Sequence, residues 1–307
     1  MKTDPRKLIE KVDMSVSQIS SDGGYLNPEK FDEFYQILLE TEGFANLLND
    51  VRVVQMGAPQ MEIDKIGFGN RMMRPAPSAG TPLNADQRYR PQFDQIALNT
   101  KKTMGEIFLP YDVLEDNIEK GKLEQTILQM AGKRIRSDLS EILILGDTSS
   151  EDDYLALTDG ALARASHQIS GSSISNIDKT LFKLGIDNMP SKFLQYRQAM
   201  RYYLSVANDT NYRDQLADRA TQLGDDSYAG FPNTYCFGIK VAPEYHIPDS
   251  KMLLTYPQNV ILGIQRNVTL RTKEEPTLDG VVMVFTMRFD VQVEEPNAAV
   301  VITGLDV

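Results

Sequence analysis

The stretch KLEQTILQMAGKRIRSDLSEILILGD (residues 122–147) carries the strongest helix signal in the chain. Its apolar residues recur mostly at intervals of three or four, which places them along one face of a helix. They are Leu123, Ile127, Ala131, Ile135, Leu139, Ile142 and Leu143. A helix from Lys122 to Leu145 would be ~36 Å long. Gly146 follows its last turn, where glycine is favoured, so the pattern predicts one long helix that buries a single face.

The clearest strand signal lies near the carboxyl end of the chain. Apolar side chains occupy seven consecutive odd positions from Val281 to Val293. Polar residues fill the even positions from Thr286 to Glu294, which predicts a strand with one buried and one solvent-exposed face. Its expected partner is the segment 260–272, joined through the turn 273–280. Residues 298–303 form a last short predicted strand.

A long segment without an apolar run lies before the predicted helix. Residues 57–92 contain four glycines and five prolines, and five basic residues outnumber three acidic ones. A loop of this length is uncommon in a compact domain unless it is functional or disordered. Extended patterns flank it, at Val51–Met56 on one side and around Ile96 and Leu109 on the other. The segment is therefore interpreted as a projecting hairpin.

The remaining segments give weaker signals. Residues 1–35 are expected to contain an N-terminal arm and the start of a helix from Pro28 to Glu40. Residues 148–178 have the composition of loops. A helical region is predicted from Lys179 to Ala207, broken at Pro190, with helical spacing continuing from Phe193 to Leu204. A further helix is expected at 212–223.

Composition excludes several classes of function. The chain has 307 residues and a net charge of −11, so a nucleic-acid or anionic-membrane binder is disfavoured. No apolar run is long enough to span a membrane. A single cysteine, Cys236, excludes an intrachain disulfide and a cysteine-cluster metal site. The charge is uneven, because residues 51–110 carry a net charge of +3; chance or a basic arm that docks on another copy would both explain this window.

Few residues suggest catalysis or metal binding. His167 and His246, the only histidines, are interpreted as polar surface or turn residues. The pairs Asp152/Asp153 and Asp225/Asp226 lack the spacing of a calcium loop, so solvated loop acids are the simpler interpretation. No catalytic, cofactor-binding or metal-ligating residue is predicted. A metal-dependent hydrolase using Asp152 and Asp153 is kept as a remote alternative.

The order of these parts resembles the major capsid proteins of tailed bacteriophages, which have the Hong Kong 97-type fold. The glycine- and proline-rich segment returns through FDQIALNTKKTMGEIFLPYDVLEDN (93–117), which is similar to that family's return strand. Residues 122–147 resemble its spine helix. The runs PQNVILGIQRNVTLRT (257–272) and MRFDVQVEEPNAAVVITG (287–304) resemble its late strands.

The resemblance implies an α+β fold with named parts. These are an N-terminal arm (1–35), a peripheral domain (36–56, 93–164 and 266–296) with a spine helix at 122–146, an extended hairpin loop (57–92), and an axial domain (165–265 and 297–307). The chain starts close to the arm, so a separate scaffolding protein, or none, is expected. No crosslink is predicted for Lys65, the only lysine of the loop.

The implied function is self-assembly into hexamers and pentamers of an icosahedral shell that encloses viral double-stranded DNA. Inter-subunit contacts are expected at the basic residues of the hairpin loop, Lys65, Arg71, Arg74, Arg88 and Arg90. A portal is an expected partner, and no cofactor and no membrane are expected. The protein would be made in the host cytoplasm and end in the virion. An encapsulin-type compartment shell shares the fold and remains an alternative.

Overall fold

Two β-sheets, one two-stranded hairpin and one long helix organise the chain. The computed structural model describes residues 46–67, 73, 75, 88, 91–112, 123–172, 177–217 and 234–305. The predicted N-terminal arm and the helix at 28–40 lie outside these residues. The helices are α1 (Asn46–Asp50), α2 (Leu123–Leu145), α3 (Ala161–Arg164), α4 (Lys179–Asp187), α5 (Ser191–Leu194) and α6 (Val206–Ala217).

The strands are β1 (Arg52–Gln55), β2 (Gln60–Gly67), β3 (Gln92–Asn99), β4 (Lys101–Pro110), β5 (His167–Ser170), β6 (Arg201–Leu204), β7 (Thr234–Cys236), β8 (Ile239–Pro243), β9 (Lys251–Thr255), β10 (Val260–Glu275), β11 (Gly280–Val293) and β12 (Ala299–Thr303). Short 3-10 turns lie at 155–157, 197–199, 257–259 and 296–298.

A four-stranded sheet is built around the two long carboxyl-terminal strands. Its order is β1-β10-β11-β4. β10 and β11 pair antiparallel from Val260↔Val293 to Glu275↔Gly280, which confirms the predicted strand pair. β4 pairs antiparallel with β11, and β1 pairs parallel with β10. The odd-numbered residues of β11 point towards a core, as the alternation predicted.

The long helix α2 covers that buried face of the sheet. It runs through residues 123–145, and Ala131, Leu139, Ile142 and Leu143 of the predicted stripe are buried. These side chains form the first core together with β10 and β11 residues such as Phe285. Burial of this stripe, rather than helix propensity, stabilises a helix of this length.

Close backbone packing fixes the end of α2. The amide of Gly146 donates to the Ile142 carbonyl at 3.0 Å, and the amide of Gly160 donates to the Gly146 carbonyl at 2.8 Å. A β-carbon on Gly146 would lie 2.3 Å from the Thr158 carbonyl oxygen, and one on Gly160 would lie 2.7 Å from that of Ile142. Only glycine allows the two backbone segments to approach this closely.

A six-stranded mixed sheet forms the other half of the described chain. Its order is β5-β12-β9-β6-β8-β7. One face contributes Tyr203, Leu253 and Val301 to the first core. The opposite face forms a second core with α4 and α6, in which Phe182 and Tyr202 stack edge to face at 4.8 Å. The two sheets are therefore joined through one shared core.

The structure corrects the helix prediction for the segment 193–204. Arg201–Leu204 is a strand and not the end of a helix, because the backbone pairs with β8 on one side and β9 on the other. β10 extends through 260–275, and its pairing with β11 is irregular between Ile264 and Thr269, where the predicted domain boundary at 265/266 falls. β3 pairs with β2 over its whole length. The domain bounds themselves stay a prediction.

Candidate functional site

The two-stranded hairpin of β2 and β3 is the candidate site. The strands pair antiparallel from Gln60↔Asn99 to Gly67↔Gln92. At about 3.3 Å per residue, eight paired residues make a stem ~26 Å long. Neither Val51–Met56 nor β4 forms the stem, because β1 and β4 pair with the four-stranded sheet instead. The chain therefore leaves the sheet at one edge strand, β1, forms the hairpin and returns to the opposite edge strand, β4.

One face of the hairpin stem packs on the body of the protein. Met61 and Ile63 contact a small cluster of Met56, Leu98 and Ile261, and Leu98 and Ile261 are fully buried. Gly263 makes room for this contact, because a β-carbon there would lie 2.9 Å from the Met56 sulfur and 3.3 Å from Leu98. The base of the stem is thus held by apolar packing.

The other face of the stem is exposed. Ile66 and Phe93 are direct cross-strand partners, and they are 62% and 69% exposed. Met73 beyond them is 77% exposed. Gln95 donates to the Asp64 carboxylate at 3.0 Å on the same face. Large apolar side chains that remain exposed to solvent in the folded chain favour contact with another molecule.

Asp290 on β11 anchors the end of β3. One carboxylate oxygen accepts from the Asn99 amide at 2.8 Å, and the other accepts from the Thr158 hydroxyl at 2.7 Å and the Val291 amide at 2.9 Å. Asp290 is 4% exposed. One buried carboxylate thereby joins the hairpin, the sheet and the loop that follows α2, with hydrogen bonds of the strong, charge-assisted kind.

Lys65 holds the middle of the stem. Its ammonium group donates to the Glu294 carbonyl at 2.6 Å and to the Glu295 carboxylate at 3.2 Å. Burial alone would raise the pKa of Glu295, but hydrogen bonds from Asn297 and Lys65 and the Lys65 charge hold that pKa below its ordinary value. The contribution of this carboxylate to stability is therefore complete at neutral pH and is lost as the pH falls through the lowered pKa.

Further hydrogen bonds close the base of the hairpin. The Thr100 amide donates to the Pro59 carbonyl at 2.9 Å, which brings the two ends of the hairpin together. The Thr100 hydroxyl also contacts the Gln265 side-chain oxygen at 3.2 Å. Gln292 donates to the Ala97 carbonyl at 3.1 Å. The base of the stem is therefore tied to β10 and β11.

The predicted contact residues fall into two groups. Lys65 lies in β2 and binds its own chain, so the expected inter-subunit role of this residue has a competing intrachain partner. Arg88 is exposed. Arg71, Arg74 and Arg90 lie outside the described residues. The inter-subunit role of these five residues stays a prediction.

Sequence reasoning missed the anchoring residues. Asp290, Gln292 and Glu294 occupy the even positions that alternation assigns to solvent. The side chains of Asp290 and Gln292 nevertheless bond the hairpin strand β3, and the Glu294 carbonyl accepts from Lys65. The signal for the stem itself was present, because Met61 and Ile63 alternate with Glu62 and Asp64. Alternation identifies the strand, but it does not identify the segment of the chain that packs on the second face of that strand.

Two of the residues considered for chemistry, Asp152 and His246, have side-chain contacts within the chain. His167 lies in β5 and not in a turn, and its Nε2 is buried without a hydrogen-bond partner among the described residues. The Asp152 carboxylate accepts from the Tyr154 and Leu155 amides and so caps a turn. His246 is half-buried, with Nε2 3.2 Å from the Ser137 hydroxyl, and burial lowers its pKa. Over the described residues, no three His, Cys, Asp or Glu side chains converge to hold a metal ion. Asp225 and Asp226 lie outside the described part of the chain.

None of the helices that the structure describes combines the length and apolar character needed to cross a membrane. No family model matches the sequence. A sequence relative is the "Putative prophage capsid protein YqbE" of Bacillus subtilis (strain 168), which is 34% identical over 305 residues, covering 95% of this chain and 96% of the relative.

Solved structures of phage capsids share the fold. The satellite phage P4 procapsid gives a TM-score of 0.63 at 14% identity, over 97% of this chain and 98% of that chain. The capsid of a native GTA particle gives 0.63 at 12% identity, over 86% and 91%. Mycobacterium phage Adephagia gives 0.60 at 14% identity, over 86% and 91%.

The long helix, the two sheets and the projecting hairpin thus form a capsid fold of the Hong Kong 97 type. With the sequence relationship over nearly its whole length, the chain belongs to the family of tailed-bacteriophage capsid proteins. Membership in this family implies a structural role.

Proposed function

We propose that this chain is the major capsid protein that self-assembles into hexamers and pentamers of an icosahedral shell around double-stranded DNA. The sequence relationship to a prophage capsid protein over 95% of the chain carries the proposal. A shell needs many repeated contacts that close on themselves. A hairpin anchored at its base and exposed at its far end has the form of such a contact.

The domain assignment forms part of the proposal. The four-stranded sheet and α2 would be the peripheral domain, and the six-stranded sheet with α4 and α6 the axial domain. The pairing of residues 260–264 with β11 and of β3 with β2 supports placing residues 260–265 in the peripheral domain and 93–99 in the hairpin loop. No catalysis is assigned to either unit.

The proposed shell implies further partners of this chain. A separate scaffolding protein and a portal would act during assembly in the host cytoplasm, and the shell would become the virion capsid. Enclosed DNA would be held without sequence-specific contacts, because an acidic chain repels phosphates. An encapsulin-type compartment shares the fold, but the relationship to a prophage protein favours the viral shell.

Electron microscopy of the overexpressed chain tests this function. We expect negative-stain images to show closed shells or rings of five and six subunits, alone or with a co-expressed scaffolding protein. Uniform monomers under both conditions, with the folded state verified by circular dichroism, would contradict the proposal. DNA-free shells that capture a cellular enzyme would instead support the encapsulin alternative.

The four arginines of the loop are proposed to guide assembly. Changing Arg71, Arg74, Arg88 and Arg90 to Glu should raise the protein concentration needed for assembly at low salt, because the loop would then repel an acidic neighbour. The difference from the wild type should shrink as salt increases, since charges separated by ~10 Å are screened at about 0.1 M. Light scattering over a salt series measures this.

A matched control distinguishes the effect of where the four charges lie from the effect of the change in net charge. Lys133, Lys179, Lys183 and Lys192 are exposed on the body of the protein, and changing them to Glu alters the net charge by the same amount. Assembly of this control should exceed that of the loop variant at low salt, and this difference should shrink as salt increases. Equal assembly of the two variants would contradict an electrostatic role of the loop.

A further inference from the structure

An apolar cavity lies between α1, α2 and the edge strand β1. Its volume is about 220 Å³. Apolar side chains from five elements form most of its walls, among them Leu48, Val53, Leu139, Leu262, Ile264 and Met287. Protein interiors leave few voids larger than a water molecule. A cavity of this size is therefore expected to receive further side chains.

The chemistry of the cavity defines what would fill it. Val53 lines it and is 52% exposed, so the cavity opens to solvent beside β1. Arg136, which is 5% exposed, donates to the Asn49 side-chain oxygen, and burial lowers the pKa of its guanidinium. The buried Oδ1 of Asn267 accepts no hydrogen bond from the described residues. An apolar occupant with negative charge and a hydrogen-bond donor would match these groups.

The helix α1 is held beside the cavity by contacts at both of its ends. At its start, the Leu47 amide donates to the buried Glu244 carboxylate at 3.0 Å. At its end, the Asp50 carboxylate pairs with Arg201 of the six-stranded sheet. The residues that precede Asn46 therefore join the described chain at a fixed point next to the cavity.

The segment 28–45, which lies outside the described residues, has the matching composition. It leads directly into α1, and Leu48 and Asn49 of α1 line the cavity. Its apolar stripe has helical spacing and consists of Phe31, Phe34, Tyr35, Leu38 and Leu39. Five acidic residues and one lysine accompany the stripe. The segment thus combines apolar side chains, net negative charge and a tyrosine hydroxyl.

We propose that residues 28–45 cover this cavity in their own chain and insert side chains of the apolar stripe into it. A tethered segment has an effective concentration in the mM range, which favours it over the same segment of a second copy in dilute solution. Its length is sufficient, because eighteen residues span ~27 Å even as a helix. The inference goes beyond the proposed function, since it concerns the unassembled chain and does not require shells.

Paired cysteines test which side chains face the cavity. Val53→Cys is combined with Phe34→Cys or Leu38→Cys, and mild oxidation of the unassembled full chain should give an intrachain bridge in at least one pair. A bridge requires α-carbons within about 7 Å. Glu40→Cys lies on the opposite side of the predicted helix and should bridge to Val53→Cys about tenfold more slowly. Val53→Cys alone controls for reaction with the buried Cys236.

The products of oxidation decide the outcome. Non-reducing electrophoresis and mass spectrometry distinguish bridges within one chain from bridges between chains. No bridge from either stripe position, or equal bridging of the stripe and control positions, would overturn the inference. Bridges between two chains would assign the segment to a second copy and would also overturn it.

Charge at the mouth of the cavity gives a second test. Val53→Asp places a negative charge where the acidic segment would lie, and Val53→Lys places a positive charge there. The thermal midpoint of Val53→Asp should therefore lie about 2–4 °C below that of Val53→Lys at low salt. In 1 M salt, where charges are screened beyond ~3 Å, this difference should shrink. Without the segment, Arg136 would instead favour Val53→Asp, so equal or reversed midpoints at low salt would contradict an acidic cover.

Discussion

Replacing residues 68–91 with Asn-Gly is expected to give a folded monomer that forms no closed shells. Gly67 and Gln92 are cross-strand partners at the end of the described stem, and a two-residue Asn-Gly turn connects antiparallel strands at such a pair. The variant keeps the stem and the Lys65 contacts while removing Arg71, Arg74, Arg88 and Arg90. It therefore tests the role of the loop beyond the stem without changing the contacts that anchor the stem.

Two measurements distinguish loss of assembly from loss of folding. The thermal midpoint by calorimetry should stay within about 2 °C of the wild type, because the described residues of both cores lie outside 68–91. Negative-stain microscopy should show no closed particles. Intact shells from this variant would contradict the assignment of the hairpin as an inter-subunit element.

Shortening a different exposed hairpin provides the control. Residues 276–279 connect β10 to β11, and replacing them with Asn-Gly also shortens an exposed turn. Shells should still form in this variant. If both variants fail to assemble, the failure of the first would not be specific to the hairpin of β2 and β3.

Periodicity predicted the helix and the strand that bury a single face. The stripe of α2 and the alternation of β11 were confirmed, because each pattern records which side chains face the core. Arg201–Leu204 was predicted as helix for a physical reason. A run of four residues fits both periods, and two neighbouring strands, β8 and β9, decide its state.

The anchoring of the hairpin was beyond the reach of these patterns. Asp290 is a polar residue at an even position, and alternation assigns such a position to solvent. Its partners Asn99 and Thr158 are 191 and 132 residues away in the chain. Glu295 meets Lys65 across 230 residues. No local spacing encodes contacts of this range.

The strongest effect of a single substitution is expected at Asp290. Asp290→Ala removes the acceptors of the Asn99 amide, the Thr158 hydroxyl and the Val291 amide together. Hydrogen bonds to a charged group contribute about 1.5–3 kcal/mol each, and buried donors left without acceptors add a desolvation cost. Since the three are not additive, we expect a loss of about 3–5 kcal/mol in the free energy of unfolding.

The same substitution should loosen the hairpin specifically, because Asp290 is where β3 meets the body. Hydrogen exchange at the Asn99 amide should accelerate more than exchange in the second core, and shell yield should fall even at temperatures where the protein stays folded. Asp290→Asn keeps one acceptor oxygen and should lie between the wild type and alanine. Thr286→Ala, on the same face of β11, should change stability by no more than about 0.5 kcal/mol. If Asp290→Ala matched Thr286→Ala in stability and exchange, the buried carboxylate would not be the anchor, and the direction of the hairpin would depend on the other contacts of the stem, such as those of Lys65 and Leu98.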